Sequence, residues 1–157
     1  MSSQVWQQPE IISWSQIILD SFAEVVGKEL LARKGTPAAQ AEALFFAPFV
    51  VVSHGTQAEP IFNYGNQVAL DLWEINWQNF IQTPSRSTAE PINQLERQQM
   101  LEQVAQKGYV DNYSGVRISS TGKRFLIKNT IIWNLRDRAG NYCGQAANYA
   151  EWDMIKN

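Results

Sequence analysis

The sequence predicts an α+β domain in which helices come first and an antiparallel sheet follows. Three observations carry that expectation. Residues 10–47 are rich in Ala, Glu, Gln and Leu, which favour helix, whereas residues 109–150 are rich in Tyr, Ile, Val, Asn and Gly, a composition of strands and turns. Apolar residues near the N-terminus recur at helical spacing, at Ile11, Trp14, Ile18, Phe22 and Val25. Thr121-Gly122 and Ala139-Gly140 divide the last third of the chain into three strand-length segments.

The elements follow in order. Pro9 suits the first turn of a helix and Gly27 its end, because glycine adopts the left-handed cap conformation without penalty. Thr36 caps a second helix with Pro37 at its first position, Ala41, Leu44 and Phe45 face a core, and Pro48 ends the segment. Phe49 to Ser53 is a short β-branched strand, and Ile61 to Tyr64 is its hairpin partner across the Gly55–Pro60 turn. Asn66 caps a helix carrying Val68, Ala69, Leu72 and Trp73. A short turn around Trp77 to Ile81 and a loop from Thr83 to Thr88 lead to a long helix, which Glu90-Pro91 opens and Gly108 closes. It carries Ile92, Leu95, Met100, Leu101 and Val104. Strands at about Tyr109–Ser119, Lys123–Leu135 and Tyr142–Tyr149 complete the chain. In the middle one Phe125, Ile127, Asn129, Ile131, Trp133 and Leu135 share a face, the more apolar one, which is expected to point inward. Leu126, Lys128, Thr130, Ile132 and Asn134 share the other.

Composition excludes several classes. The 157 residues are one domain's length, and 45% hydrophobic residues suffice for a core. A net charge of −2 gives no basic surface, so nucleic acid is not an expected partner. Charged residues are only 18%; 15 Gln and 11 Asn supply much of the remaining polarity. One cysteine, Cys143, leaves no internal disulfide and suits a reducing compartment. The N-terminus lacks the pattern of a signal peptide, and the longest apolar run, Ala43 to Val52, is ten residues interrupted by Pro48, against the ~20 that a helical span needs. A cytoplasmic protein without membrane contact is expected. There is no HExxH, nucleophile elbow, P-loop or CxxC, and one His with one Cys cannot form a usual zinc site, so no enzyme is expected.

Two strands, a helical crossing and a three-stranded meander resemble a PAS-type domain. That resemblance implies a five-stranded antiparallel sheet with helices on one face, able to enclose a small cavity. Residues 48–152 would form it as a single unit, with residues 1–47 as an N-terminal helical extension. Ala47-Pro48-Phe49-Val50-Val51-Val52-Ser53-His54-Gly55-Thr56, Pro60-Ile61-Phe62-Asn63-Tyr64-Gly65-Asn66 and Ala69-Leu70-Asp71-Leu72-Trp73 add to it. So do Pro84-Ser85-Arg86-Ser87, Tyr113-Ser114-Gly115-Val116-Arg117-Ile118-Ser119, Trp133-Asn134-Leu135 and Gly144-Gln145-Ala146-Ala147. Together, in order and over residues 12–149, they resemble the MEKHLA domain family, stand-alone bacterial type, which is similar to PAS domains. The resemblance implies a sensory domain but brings no shared ligand, cofactor or catalytic set.

The candidate ligand residues each have a plainer structural role. His54, after Ser53 at the end of the first strand, can line a pocket or ligate a haem; the plainer role is a hydrogen bond to the hairpin backbone. Asn63, Tyr64 and Asn66 cluster where the second strand meets a helix, and capping and bracing alone explain the asparagines. Arg86, between Ser85 and Ser87, can clamp a carboxylate or phosphate, or pair with Glu90. Arg117 alternates with Tyr113 on one strand face, and either reaches a pocket or pairs with an acid on a neighbouring strand. Trp73 and Trp133, with Phe62 and Phe125, stack a planar ligand or fill the core. Gln145 resembles the last-strand glutamine that reads cofactor edges in several PAS groups. Cys143, preceded by Arg136 and Arg138, is reactive only if its pKa is lowered and the thiol exposed. Catalysis by Cys143 with His54 needs the two within hydrogen-bond reach.

Two functional expectations result. In the first, the domain binds a small organic molecule between sheet and helices and signals through another protein or a second copy of itself. The stripe of Ile11, Trp14 and Ile18 on the first helix is the candidate dimer surface. In the second, it is a protein–protein interaction module with a packed interior. Cavity size, and whether Arg86, Asn63 or Arg117 converge on it, separates the two.

Overall fold

Pro9 and Gly27 delimit the first helix in the computed structural model, whose described residues are 4–89 and 94–156. Helix α1 runs Pro9–Val26, and Gly27 ends it at φ +87°, donating to the Ala23 carbonyl at 3.1 Å. Helix α2 (Pro37–Phe45) begins where the Thr36 hydroxyl accepts from the Ala39 amide. Strands β1 (Val50–His54) and β2 (Phe62–Gly65) form the expected antiparallel hairpin. Helices α3 (Gln67–Trp73) and α4 (Trp77–Phe80) are capped by Asn66 and Asn76. A 3-10 turn at Ser85–Thr88 and helix α5 (Gln94–Lys107) lead to β3 (Tyr109–Ile118), β4 (Arg124–Arg136) and β5 (Tyr142–Tyr149). The expected opening of α5 at Glu90-Pro91, with Ile92, lies outside the described residues. Among the described side chains of α5, Met100 and Val104 are buried deeply, while Leu95 is 70% exposed.

The sheet order is β2-β1-β5-β4-β3, antiparallel throughout. A sixth strand, β6 (Glu151–Ile155), goes beyond the five expected. It exists because β4 is thirteen residues long and β5 covers only Ile131–Arg136 of it, so β6 pairs with the remaining edge, Arg124–Lys128.

The two faces of the sheet are covered by different helices. Ile18, Leu19 and Phe22 of α1 lie against Trp133 and Leu135; the Phe22 and Trp133 rings meet edge-on at 4.9 Å, and the Trp133 indole donates to the Ile18 carbonyl. This corrects the expectation of a dimer surface on α1: its stripe is covered by the chain's own sheet, so the burial that an amphipathic helix requires is met internally. On the other face lie α3, α4, the 3-10 turn and α5. There Trp73, Phe62, Phe80 and Phe125 interlock with centroids 4.4–6.1 Å apart. Met100 and Val104 pack on Ile132.

One local feature decides what faces what. Asn129 has φ +52°, and the pairing of β3 with β4 skips a residue between Tyr113↔Thr130 and Gly115↔Ile127. This bulge breaks the single apolar stripe expected of β4. Phe125 and Ile127 continue into Thr130 and Ile132 on the α5 side, whereas Trp133 and Leu135 face α1. Asparagine tolerates the left-handed region better than most residues, which is why the irregularity sits there.

Candidate functional site

Between α5, the 3-10 turn and the sheet lies a cavity of about 80 Å³. Its roof is held in place at both ends. The Phe62 amide donates to Thr83 and the Ser85 amide to Pro60, and Ala89 forms a bridge with Arg117 of β3. Val52, Ile127, Ile132, Ala147, Met100 and Phe62 give it apolar walls. A wider and more open groove of about 290 Å³ lies between the N-terminal turn and α3, at Val5, Phe45, Leu70 and Trp77, and holds none of the candidate residues.

Six of the eleven candidates border the cavity: Ser53, His54, Trp73, Arg86, Arg117 and Gln145. Ser53 is already engaged, accepting from the Trp14 indole at 2.8 Å and donating to Asn63 at 2.5 Å. His54 Nδ1 donates to the Gly55 carbonyl at 2.9 Å. Gln145 is paired with His54 and Asn134 in the sheet register, and its amide donates to Asn134 at 3.4 Å. Arg86 sits at the mouth, 66% exposed, and pairs with Glu59 at 2.9 Å, an exposed ion pair of about 0–1 kcal/mol. Glu90, its expected partner, lies outside the described residues.

Arg117 departs from the expected pairing with an acid on a neighbouring strand. Among the described residues no carboxylate reaches it. Its guanidinium donates to the Val116 carbonyl at 3.0 Å and lies 5.7 Å from the centre of the Tyr113 ring. Gly115 makes this possible. A Cβ there would stand 2.8 Å from the Tyr113 hydroxyl and 3.1 Å from the guanidinium, so a larger residue would part them.

The remaining five candidates do not line the cavity, and the reasons are local. Trp133 lies on the α1 side of the sheet, because the bulge at Asn129 separates its face from that of Ile127. Tyr64 is fully buried against Trp77. Asn63 is held by Ser53, and Tyr113 serves Arg117. Asn66 is a buried brace: its carbonyl accepts from Val51 and Ala69 and its amide donates to Leu44 and Phe49.

Two wall residues escaped the sequence reading, Thr130 and Tyr149. With Trp73 they share an uncommon property: each borders the cavity, is at most 3% exposed, and has a polar atom with no hydrogen-bond partner among the described residues. An unpaired buried donor costs ~1–3 kcal/mol, so three around one cavity form a concentrated deficit. Burial pushes the Tyr149 phenol well above its ordinary pKa, with the Arg117 charge opposing more weakly, so the hydroxyl keeps its proton. The signal that would have located Thr130 is Asn129, a turn-favouring residue inside a strand.

Cys143 is the second residue of β5, near the end of β1. Burial, chiefly, with Asp137, raises its pKa against a smaller opposing effect of Arg136, which is contrary to what a reactive thiolate requires. Among the described residues no cluster of His, Cys, Asp and Glu is arranged to hold a metal ion, and no helix is long and apolar enough to cross a membrane.

Comparison with known proteins agrees with this geometry. A family model described as the MEKHLA domain matches residues 12–154. No curated protein matches. Among solved structures, a PAS domain from Colwellia psychrerythraea superposes with a TM-score of 0.61 at 14% identity, covering 74% of this chain and 94% of that one. A light-oxygen-voltage domain studied with a flavin analogue gives 0.56 at 16% identity, covering 76% and 86%. A PAS domain from a two-component sensor histidine kinase gives 0.56 at 13% identity, covering 73% and 91%. At these identities the likeness is one of fold.

Proposed function

We propose a function from the premise that the chain belongs to the MEKHLA domain family and has a PAS-like sensory fold. It is a sensor that takes a small molecule into the cavity between the sheet and α5 and passes the occupancy on to another protein or to a second copy of the chain. The single observation that carries this is the set of three unpaired buried polar groups, on Trp73, Thr130 and Tyr149, around one cavity. A folded chain keeps such groups where function requires them. The volume of about 80 Å³ is well under the ~300–1,000 Å³ of drug-sized ligand pockets, so the cavity suits a molecule of only a few heavy atoms.

Amide-resolved NMR of the protein titrated with a set of molecules of six or fewer heavy atoms tests the proposal. The expected result is saturable shifts concentrated at Arg117, Thr130, Gln145 and Tyr149. A uniform absence of shifts at millimolar concentrations would overturn it.

The second reading is an interaction module without a ligand. It draws on the burial of Trp73, Phe125 and Trp133, three large rings packed into the interior. In that reading partner binding would shift amides on an outer surface and leave those of the cavity unmoved.

A further inference from the structure

We infer that the molecule the cavity takes is a small organic acid anion, held through its carboxylate by Arg117 and the unpaired donors of the walls. The inference rests on the preceding reading of the cavity as a ligand site and assigns its chemistry.

Among the described lining residues the formal charges are one-sided, and the unpaired polar groups can all donate. The Trp73 indole can only donate, and the guanidiniums of Arg117 and Arg86 can only donate. The hydroxyls of Thr130 and Tyr149 can each donate. Among the described residues lining the cavity there is no carboxylate to accept. A ligand that answers this set must be rich in acceptors, and the two cations favour one with negative charge.

Arg117 is the residue that turns this inventory into an anion site. It is half-buried, and among the described residues its hydrogen bond goes to the carbonyl of its own neighbour and its other contact is a ring face. Several of its five N–H groups therefore remain for a ligand, in the planar fork that matches a carboxylate. The Gly115 gap lets the guanidinium settle over Tyr113 instead of extending into solvent, and the bridge with Ala89 fixes its strand beneath the roof. Arg86 at the mouth has an exposed and weakly held partner, so it can turn to an entering anion.

Size and walls limit the rest of the molecule. The cavity is about half the ~150 Å³ of an apolar cavity that admits benzene, which sets roughly three to five heavy atoms. Ile127, Ile132 and Ala147 offer a short alkyl group an apolar surface. That wall favours acetate- to propionate-sized acids over inorganic phosphate, which has no apolar part.

Isothermal titration and amide NMR, in a buffer free of carboxylate and phosphate, test the assignment with propionate, propionamide, hexanoate and inorganic phosphate. Propionate is expected to bind with shifts at Thr130 and Gln145, at least tenfold more tightly than propionamide, and hexanoate not to fit. Arg117→Gln is expected to lower propionate affinity at least tenfold with an unchanged spectrum elsewhere, and Arg117→Lys to restore part of it. Equal binding of propionamide and propionate at the same amides would overturn the anion assignment and leave the cavity as a site for neutral molecules. Preference for phosphate would overturn the organic acid. Absence of shifts at the cavity with every probe would overturn both the assignment and the function on which it rests.

Discussion

Replacing Thr130 by valine should make the empty protein more stable, and the reason lies in a single hydroxyl. Thr130 is completely buried, and among the described residues its Oγ1 has no hydrogen-bond partner. A buried hydroxyl left unpaired costs ~1–3 kcal/mol. Valine is nearly the same shape, keeps the β-branch that suits the strand, and removes the unmet polar group. Allowing for imperfect repacking, Thr130→Val is expected to gain about 1–2 kcal/mol. At about 2–4 °C per kcal/mol for a chain of this size, the midpoint of thermal unfolding should rise by ~2–8 °C. Equilibrium urea denaturation is the primary assay, with an unchanged slope as the check that only stability has moved. Propionate supplies a second arm. A ligand at a hundred times its dissociation constant stabilises the native state by about 2.7 kcal/mol. The natural chain should gain more of this than the variant, so the gap between them should narrow or reverse. A variant no more stable than the natural chain would refute the reasoning, because it would mean that the hydroxyl already has a partner and the wall carries no deficit.

Three other expectations concern the frame around the cavity. Gly144 has φ +154°, and a Cβ there would stand 2.3 Å from the backbone oxygen of His54, so Gly144→Ala must part β1 from β5; a loss of about 2–4 kcal/mol in urea denaturation is expected, and a neutral result would contradict this strand pairing. Asn66→Ala strands the buried Val51 amide and the Phe49 carbonyl and removes the cap at Ala69, and should lower stability by about 3 kcal/mol by the same assay. Glu74, held by Thr121, Lys123 and Ser119, has its pKa lowered from 4.5 to about 2. Between those values the unfolded chain takes up the proton first. The contribution is therefore complete above pH 4.5 and fades as the pH falls toward 2. Acid titration of stability should be flatter in Glu74→Gln than in the natural chain over that window, and parallel curves would rule out this tie between α3 and the β3–β4 turn.

Helix ends, hairpin and meander were legible because each depends on neighbours within a few residues. Pro9 with Gly27 and Thr36 with Pro37 act through backbone dihedrals and single hydrogen bonds, and both helices stand where those residues place them. The same holds for the Asn66 cap at α3 and for the alternation of Tyr113, Gly115 and Arg117 along β3. Which residues of β4 reach the cavity depends on one break in alternation. A strict period of two puts Trp133 with Ile127 and sends Thr130 outward. The bulge at Asn129 reverses both assignments, and with them the membership of the cavity wall.

The sequence by itself determined the kinds and order of the elements, the caps that bound them, and the residues able to carry charge. Those follow from propensity, sterics and spacing along the chain. Only the tertiary structure decided that α1 would cover its own sheet, that β6 would complete the edge of β4, and that Trp73, Thr130, Tyr149 and Arg117 would share one cavity. These residues come from α3, β4, β5 and β3 and span positions 73 to 149. What unites them is strand register and a bulge, quantities set by pairing between distant segments, about which no local stretch of sequence carries information.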